Sequence, residues 1–434
     1  MTVQVLRGGT VVDQSGERRA DVAIEDGVIT AVDASIEPPL GSEVFDASDA
    51  WVLPGLVDLH THVREPGREE AETIATAARG AALGGYTAIV AMASTTPTMD
   101  SPSIVRDVLA IAEGAPCEVV PSAALTVGRK GELLTPMGEL AAMGVRIFSD
   151  AGRGVQDPAL MWRIMEYATG LEAVTGGQPI VLAQHCEVEA LSASGHMHEG
   201  EWSNKLGMAG QPIEAETLMM MRDITLARRT GARLHFQHIS CAESVELVRQ
   251  AKAEGLQVTA EATPHHLTLS HAECASYDPV FKVNPPLRAD TDIAALRAGL
   301  LDGTIDAIAT CHAPHEPHTK EFPFDQAPPG MLGLESAAAV LLTELDLPIT
   351  TLAALLSWQP AAIAGIDDRH GRPIAVGEPA NLCVLDPNET WTVRGTEMAS
   401  RSHNSPWEGR ELRGRVRHTI LQGEFVVTQG EATR

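Results

Sequence analysis

Apolar and polar positions along the chain fall into two regimes. Between residues 3 and about 50, short β-like runs alternate with turns, and Val22-Ala23-Ile24 and Val28-Ile29-Thr30-Ala31-Val32 flank Glu25-Asp26-Gly27, a hairpin signature. A few short strands bury too little to stand alone. The complement lies at the other end, in Asn381-Leu382-Cys383-Val384-Leu385, residues 416–421, and Phe425-Val426-Val427 after Gln422-Gly423-Glu424. This pattern predicts one small β domain, a β-sandwich assembled from residues 1–52 and 371–434, with residues 53–370 inserted between its halves.

The middle alternates strand-like with helix-like stretches. Trp51-Val52-Leu53-Pro54-Gly55-Leu56-Val57 reads as a short buried strand, followed by candidates at 86–92, 118–124, 145–149, 180–183, 234–238, 257–262 and 307–310. Helical patterns cover 70–83, 214–230 and 242–253, among others. Eight β/α units over roughly 300 residues predict an α/β fold, a (β/α)8 TIM-type barrel with its chemistry on the loops after the strands. A doubly wound open sheet is the structural competitor, although no Gly-x-Gly-x-x-Gly follows a strand.

Composition narrows the function. A formal charge of −26 argues against nucleic-acid and anionic-membrane surfaces, so a small anionic substrate needs a local positive site. No apolar run approaches the roughly 18–20 residues of a membrane span, and the N-terminus reads as a strand, with no signal-peptide core. The six cysteines contain no Cys-x-x-Cys pair. A reduced, cytoplasmic setting is the expectation.

Candidate chemistry gathers at the predicted strand ends. His60 and His62 project side by side from the first, because residues i and i+2 of a strand share a face. His185 ends the fifth strand, His238 the sixth, and Cys311, His312 and His315 follow the eighth. Each histidine alone has a plain structural reading. Histidines at four strand ends on one edge point instead to a metal site suited to zinc. The loop 316–327 is long and polar, and reads either as a lid or as a surface loop.

The ordered set His60-Thr61-His62-Val63-Arg64-Glu65-Pro66-Gly67, Gly84-Gly85-Tyr86-Thr87, Thr263-Pro264-His265-His266-Leu267, Val283-Asn284-Pro285-Pro286-Leu287-Arg288, His312-Ala313-Pro314-His315 and Ala327 to Glu335 resembles the amidohydrolase superfamily. Within it, the likeness is to class I dihydroorotases of the bacterial type, over nearly the whole chain. The resemblance implies reversible closure of N-carbamoyl-L-aspartate to dihydroorotate in pyrimidine synthesis. It implies one or two zinc ions per chain, one on His60 and His62 and a second on His185 and His238, activating water and polarising the ring amide. Arg64 would pair with the substrate carboxylate, and Asn284, His315, Pro329 and Gly330 would line the remaining pocket. Between His312 and His315, the resemblance favours His315 for that role. A homo-oligomer and an aspartate transcarbamoylase partner also follow from the family.

Three departures fall on the chemistry. The family's strand-four Asp-Asp-Gly, whose second carboxylate bridges the metals, reads Asp150-Ala151-Gly152. Its Asp before His-Ala-Pro-His, a metal ligand and proton shuttle, is Cys311, and the Asn that helps hold the carboxylate is Ser94. Cys311 either replaces the Asp as catalytic group and metal-bound thiolate or is a plain buried cysteine. Four readings stay open: a rewired dihydroorotase, a hydrolase of another cyclic amide or imide, a non-catalytic subunit scaffolding aspartate transcarbamoylase, and a deliberately altered copy of an ordinary dihydroorotase. The four retained histidines weigh against the scaffold.

Overall fold

The computed structural model describes residues 3–434. Eight parallel strands form a closed ring: Leu56–Thr61, Tyr86–Ala91, Glu118–Pro121, Ile147–Phe148, Val181–Gln184, Arg233–Phe236, Val258–Ala262 and Ala307–Ile308. Strands one to three and four to eight are separate ladders, and the bridges Ala123 to Phe148 and Thr61 to His312 join them at both seams. The open-sheet alternative is thereby excluded. Alternation along the strands sorts the core. Val57, Leu59, Ala88, Val90, Val181, Ala183, Ala307 and Ala309 pack in one cluster, whereas Leu56, Ile89, Leu182, Phe236 and Ile308 join the helices.

The helices Glu214–Thr230 and Ala242–Ala253 span the predicted residues. The first crossover helix begins at Ile74, not at residue 70, because Thr73 is extended and its side chain accepts from Thr76 N in a capping box.

The apolar run 51–57 is two strands rather than one. Trp51–Pro54 pairs antiparallel with Leu382 to Leu385, and Leu56–Thr61 enters the barrel. The break is at Gly55, where an added Cβ would lie 2.2 Å from Thr87 Cγ2. Seven strands from both termini make one sheet, and Gln4–Arg7, Asp21–Glu25, Val28–Asp33 and Glu43–Asp46 make a second. Leu6, Val22, Ile24 and Ile29 meet Val52, Leu382, Val384 and Ile420 in a core shared by the two. The hairpin turn forms where predicted, with Asp26 (φ 53°) and Gly27 (φ 83°) both left-handed.

Candidate active site

Asp58 fixes the seam on which the site is built. Its buried carboxylate accepts from Thr310 N (2.6 Å), Thr310 Oγ1 (2.9 Å) and Thr61 Oγ1, tying strand one to the end of strand eight beside His60 and Cys311. Above it stands a row of imidazoles. Ring centroids are 5.2 Å apart for His62 and His60, 5.0 Å for His60 and His238, and 4.8 Å for His238 and His185. The paired projection expected of His60 and His62 is present.

One half of the row has free donor atoms. His60 Nδ1 lies 3.2 Å from Glu261 Oε1, leaving Nε2 unengaged, and Glu261 also meets His235 Nε2 at 2.9 Å. Burial works to raise Glu261, yet hydrogen bonds from His235 and His60 prevail and hold it at about 2. Nδ1 of His238 is buried without a partner. Ligand atoms of His60, His238 and Cys311 all lie within 4.8 Å of one another. Burial, with Glu261 and Asp58 nearby, pushes the Cys311 thiol well up, so a cation is needed to draw out the thiolate. His238 (φ 35°) and Cys311 (φ 48°) both occupy the left-handed region that side chains rarely adopt.

The other half is tied up within the protein. His185 Nδ1 meets His238 Nε2 at 3.0 Å, and His185 Nε2 meets Glu187 Oε2 at 2.7 Å. Asn284 Nδ2 donates to the same Glu187 oxygen at 2.7 Å. His62 Nδ1 lies 2.7 Å from Ser94 Oγ. Burial first, then the charges of Arg64, His60 and Arg129, holds His62 well below the usual histidine range.

These groups face a cavity of about 560 Å³ whose wall includes His60, His62, Arg64, Ser94, His185, His238, Asn284, Cys311, His315, Pro329 and Gly330. Arg64 (φ 60°) donates through Nε to Pro314 O at 3.0 Å. His315 Nε2 is 2.8 Å from Pro329 O, and burial, with Arg64 adjacent, lowers its pKa to about 2. His312 turns away to Glu72 (3.2 Å), and His315 lines the cavity. The Asp150 carboxylate accepts from Thr126 N at 3.0 Å and from Thr126 Oγ1, leaving the methyl of Ala151 at the cavity. Glu187, Glu261, Asp58 and Arg129 were not singled out from the sequence. The first two lie at strand ends beside or opposite the histidines, which is the signal that marks them.

The loop 316–327 is folded against the barrel. Pro317–Glu321 forms a 3-10 turn, and Lys320 Nζ donates to Pro279 O (3.0 Å) and Pro328 O (2.8 Å).

Comparison with known proteins agrees with this geometry. Residues 50–244 match the family described as Dihydro-orotase-like. The chain is 46% identical over 441 residues to the dihydroorotase of Mycobacterium leprae, covering 99% of each. The chain belongs to the dihydroorotase family. A dihydroorotase of Streptomyces coelicolor is 44% identical over the full length of both proteins. The chain shares its fold with solved hydantoinases: L-hydantoinase from Arthrobacter aurescens superposes with a TM-score of 0.88 at 23% identity, covering 100% of this chain and 98% of that one. Dihydropyrimidinase from Brevibacillus agri gives 0.84 at 22% identity, covering 100% and 96%. Among the described residues, no helix is long and apolar enough to cross a membrane.

Proposed function

We propose that this chain is a class I, bacterial-type dihydroorotase-like hydrolase that interconverts N-carbamoyl-L-aspartate and dihydroorotate. The observation that carries the reading is the convergence of His60, His238 and Cys311 ligand atoms within 4.8 Å at the floor of an arginine-lined cavity. The donor set fits a divalent metal: two imidazoles, one thiol, an orphaned buried Nδ1 on His238, and a carboxylate behind His60 that orients its ring. Zinc suits such N/S ligands, and His62 and His185 flank the position.

A bound zinc ion supplies Lewis acidity toward the ring amide and lowers the pKa of water. The remaining work belongs to the side chains. Arg64 holds the substrate carboxylate in its planar fork, His315 fixes the Pro329-Gly330 backbone that walls the ring, and Asn284 closes the side toward strand five. Among the described residues no carboxylate lines the cavity, so Cys311 Sγ, loosening its hold on the metal as it takes up the proton released by the attacking water, would return that proton to the ring nitrogen as the amide opens.

The same reading divides the chain into a β domain of residues 1–52 and 371–434 and a catalytic barrel of 53–370. It makes the protein a cytoplasmic homo-oligomer with aspartate transcarbamoylase as candidate partner. One observation favours a second reading. Ser94 Oγ is engaged by His62, which changes the carboxylate end of the pocket and suits another cyclic amide or imide.

Turnover of dihydroorotate and N-carbamoyl-L-aspartate by zinc-loaded protein, beside an Ala151→Asp/Cys311→Asp double variant, tests the proposal. Measurable turnover in both is expected, with the variant faster by on the order of 10²–10⁴-fold. Turnover in the variant alone would show that this chain has left the dihydroorotase reaction.

A further inference from the structure

Three successive carbonyls at the cavity wall each meet a side chain from another part of the chain. Lys320 Nζ donates to Pro328 O at 2.8 Å, His315 Nε2 is 2.8 Å from Pro329 O, and Asn404 Nδ2 donates to Gly330 O at 3.0 Å. Neither proline has an N–H to offer, and Gly330 (φ 146°) holds a conformation that favours glycine, where an added Cβ would lie 2.8 Å from His315 Nε2. No helix or strand covers residues 328–330, so these side chains do the holding that a ladder does elsewhere.

Asn404 belongs to the C-terminal segment, ahead of the strand Glu411–Leu421, in the part of the chain assigned to the β domain. It is buried, and both its N–H groups are used: Nδ2 also donates to Ala313 O at 3.0 Å, while Oδ1 accepts from His315 N at 3.2 Å. Turning the amide over would set its oxygen against two carbonyls, so the partners fix one orientation. One side chain thus spans both strips of the wall, Ala313 to His315 on one side and Gly330 on the other. The segment that carries it is pinned to the barrel. Ser402 Oγ donates to Ala71 O at 2.7 Å, Ser400 Oγ donates to Glu72 at 2.5 Å, and Trp407 packs with Val283 and Met331.

We infer that Asn404 is a positioning residue for substrate binding: it sets how far His315 stands from the Pro329-Gly330 backbone, and so the width of the slot that takes the substrate ring. The C-terminal segment then completes the binding site as well as the β domain. The identity of the ring rests on the dihydroorotase-like reading; the geometry of the wall does not. Asn404 does not itself line the cavity and acts through His315 and Gly330, which do. Without its two donated bonds the carbonyls of Ala313 and Gly330 lose their partner, and the wall relaxes toward other donors.

The test compares three variants. Asn404→Asp keeps the shape and loses both N–H donors, Asn404→Ser shortens the side chain without adding charge, and Ser402→Ala removes a bond of the same segment away from the cavity. In zinc-loaded protein, both Asn404 variants should raise KM for dihydroorotate and weaken the unreactive ring probe orotate by about tenfold, with kcat within about threefold and zinc content unchanged. Ser402→Ala should lower the melting temperature and leave KM and orotate affinity within about twofold. Equal effects in all three variants, or Asn404 variants that change only the melting temperature, make the contact a structural one and overturn the assignment. Hydrogen exchange reads the wall with no ligand present: peptides covering residues 312–316 and 328–333 should exchange faster in the Asn404 variants than in Ser402→Ala or wild type. If wild type neither turns over dihydroorotate nor binds orotate, the dihydroorotase-like reading fails, and exchange alone decides whether Asn404 holds the wall. Unchanged exchange in the Asn404 variants overturns that assignment whatever the substrate.

Discussion

Glu187 Oε2 lies 2.7 Å from Nε2 of His185, two residues earlier in the chain, and the other nitrogen of that ring is engaged by His238 at 3.0 Å. A histidine must offer a lone pair to bind a metal, and this one has neither nitrogen free. The contact therefore limits how many ions the row of imidazoles holds. Ala151 deepens the limit, since no carboxylate stands between two neighbouring dications to offset their repulsion. Wild-type protein equilibrated with excess zinc should carry one ion per chain by elemental analysis. Glu187→Ala, which releases His185, should raise that count toward two. An unchanged count would show that Glu187 does not hold the second position closed.

Glu261 acts on the first position from behind. It meets His60 at 3.2 Å and His235 at 2.9 Å, and hydrogen bonds from both hold its pKa at about 2. A carboxylate behind a ligating imidazole fixes the ring and raises its basicity, and loss of such a partner costs about 10–100-fold in metal affinity. Glu261→Gln should show that loss in competition with a chromophoric chelator. His235→Gln should show less, because His235 does not line the cavity.

The barrel strands were legible because buried strands write themselves as apolar runs between turns. The end at which His60, His185, His238 and Cys311 gather followed from strand direction alone. What stayed hidden depended on contacts between distant segments. Gly55 divides one apolar run into two sheets because Thr87 crowds it, and no local pattern records a neighbour 32 residues away. Glu187, Glu261 and Asp58 are ordinary acids in sequence, and only the paired strands reveal which partner each serves. Arg129 sits in a turn that gives no sign of facing Ala151. Cys311 was visible as a departure, yet its distance to His60 and His238 was not.

At the opposite end of the barrel, Glu118 at the foot of strand three binds Arg369 (2.7 Å) and His370 (2.7 Å), and His370 reaches Thr87 at 3.0 Å. Burial favours the neutral acid, but the hydrogen bonds from His370 and Arg369 outweigh it and hold Glu118 at about 2, below the ordinary 4.5. A depressed carboxylate pKa stabilises the folded state above the unfolded value, and that stability is lost as pH falls through the folded one. Glu118→Gln should thus cost on the order of 2 kcal/mol at pH 7. The gap between variant and wild type should narrow below about pH 4.5 and close near pH 2. Denaturant melts across that range measure it, and a gap that stays constant from pH 7 to pH 3 contradicts the assignment.

Cys311 gives the most direct reading of the metal site. Its Sγ belongs to the set within 4.8 Å of His60 and His238, and without a cation burial keeps the thiol protonated. Metal binding must therefore release a proton from Sγ as well as form a bond. Cobalt(II) in place of zinc should give a thiolate-to-metal charge-transfer band in the near ultraviolet, with proton release during titration. Cys311→Asp should still bind cobalt through His60, His238 and the new carboxylate, but lose the band entirely. A wild-type cobalt protein without that band would place the metal on the histidines alone and leave Cys311 a buried strand-end cysteine.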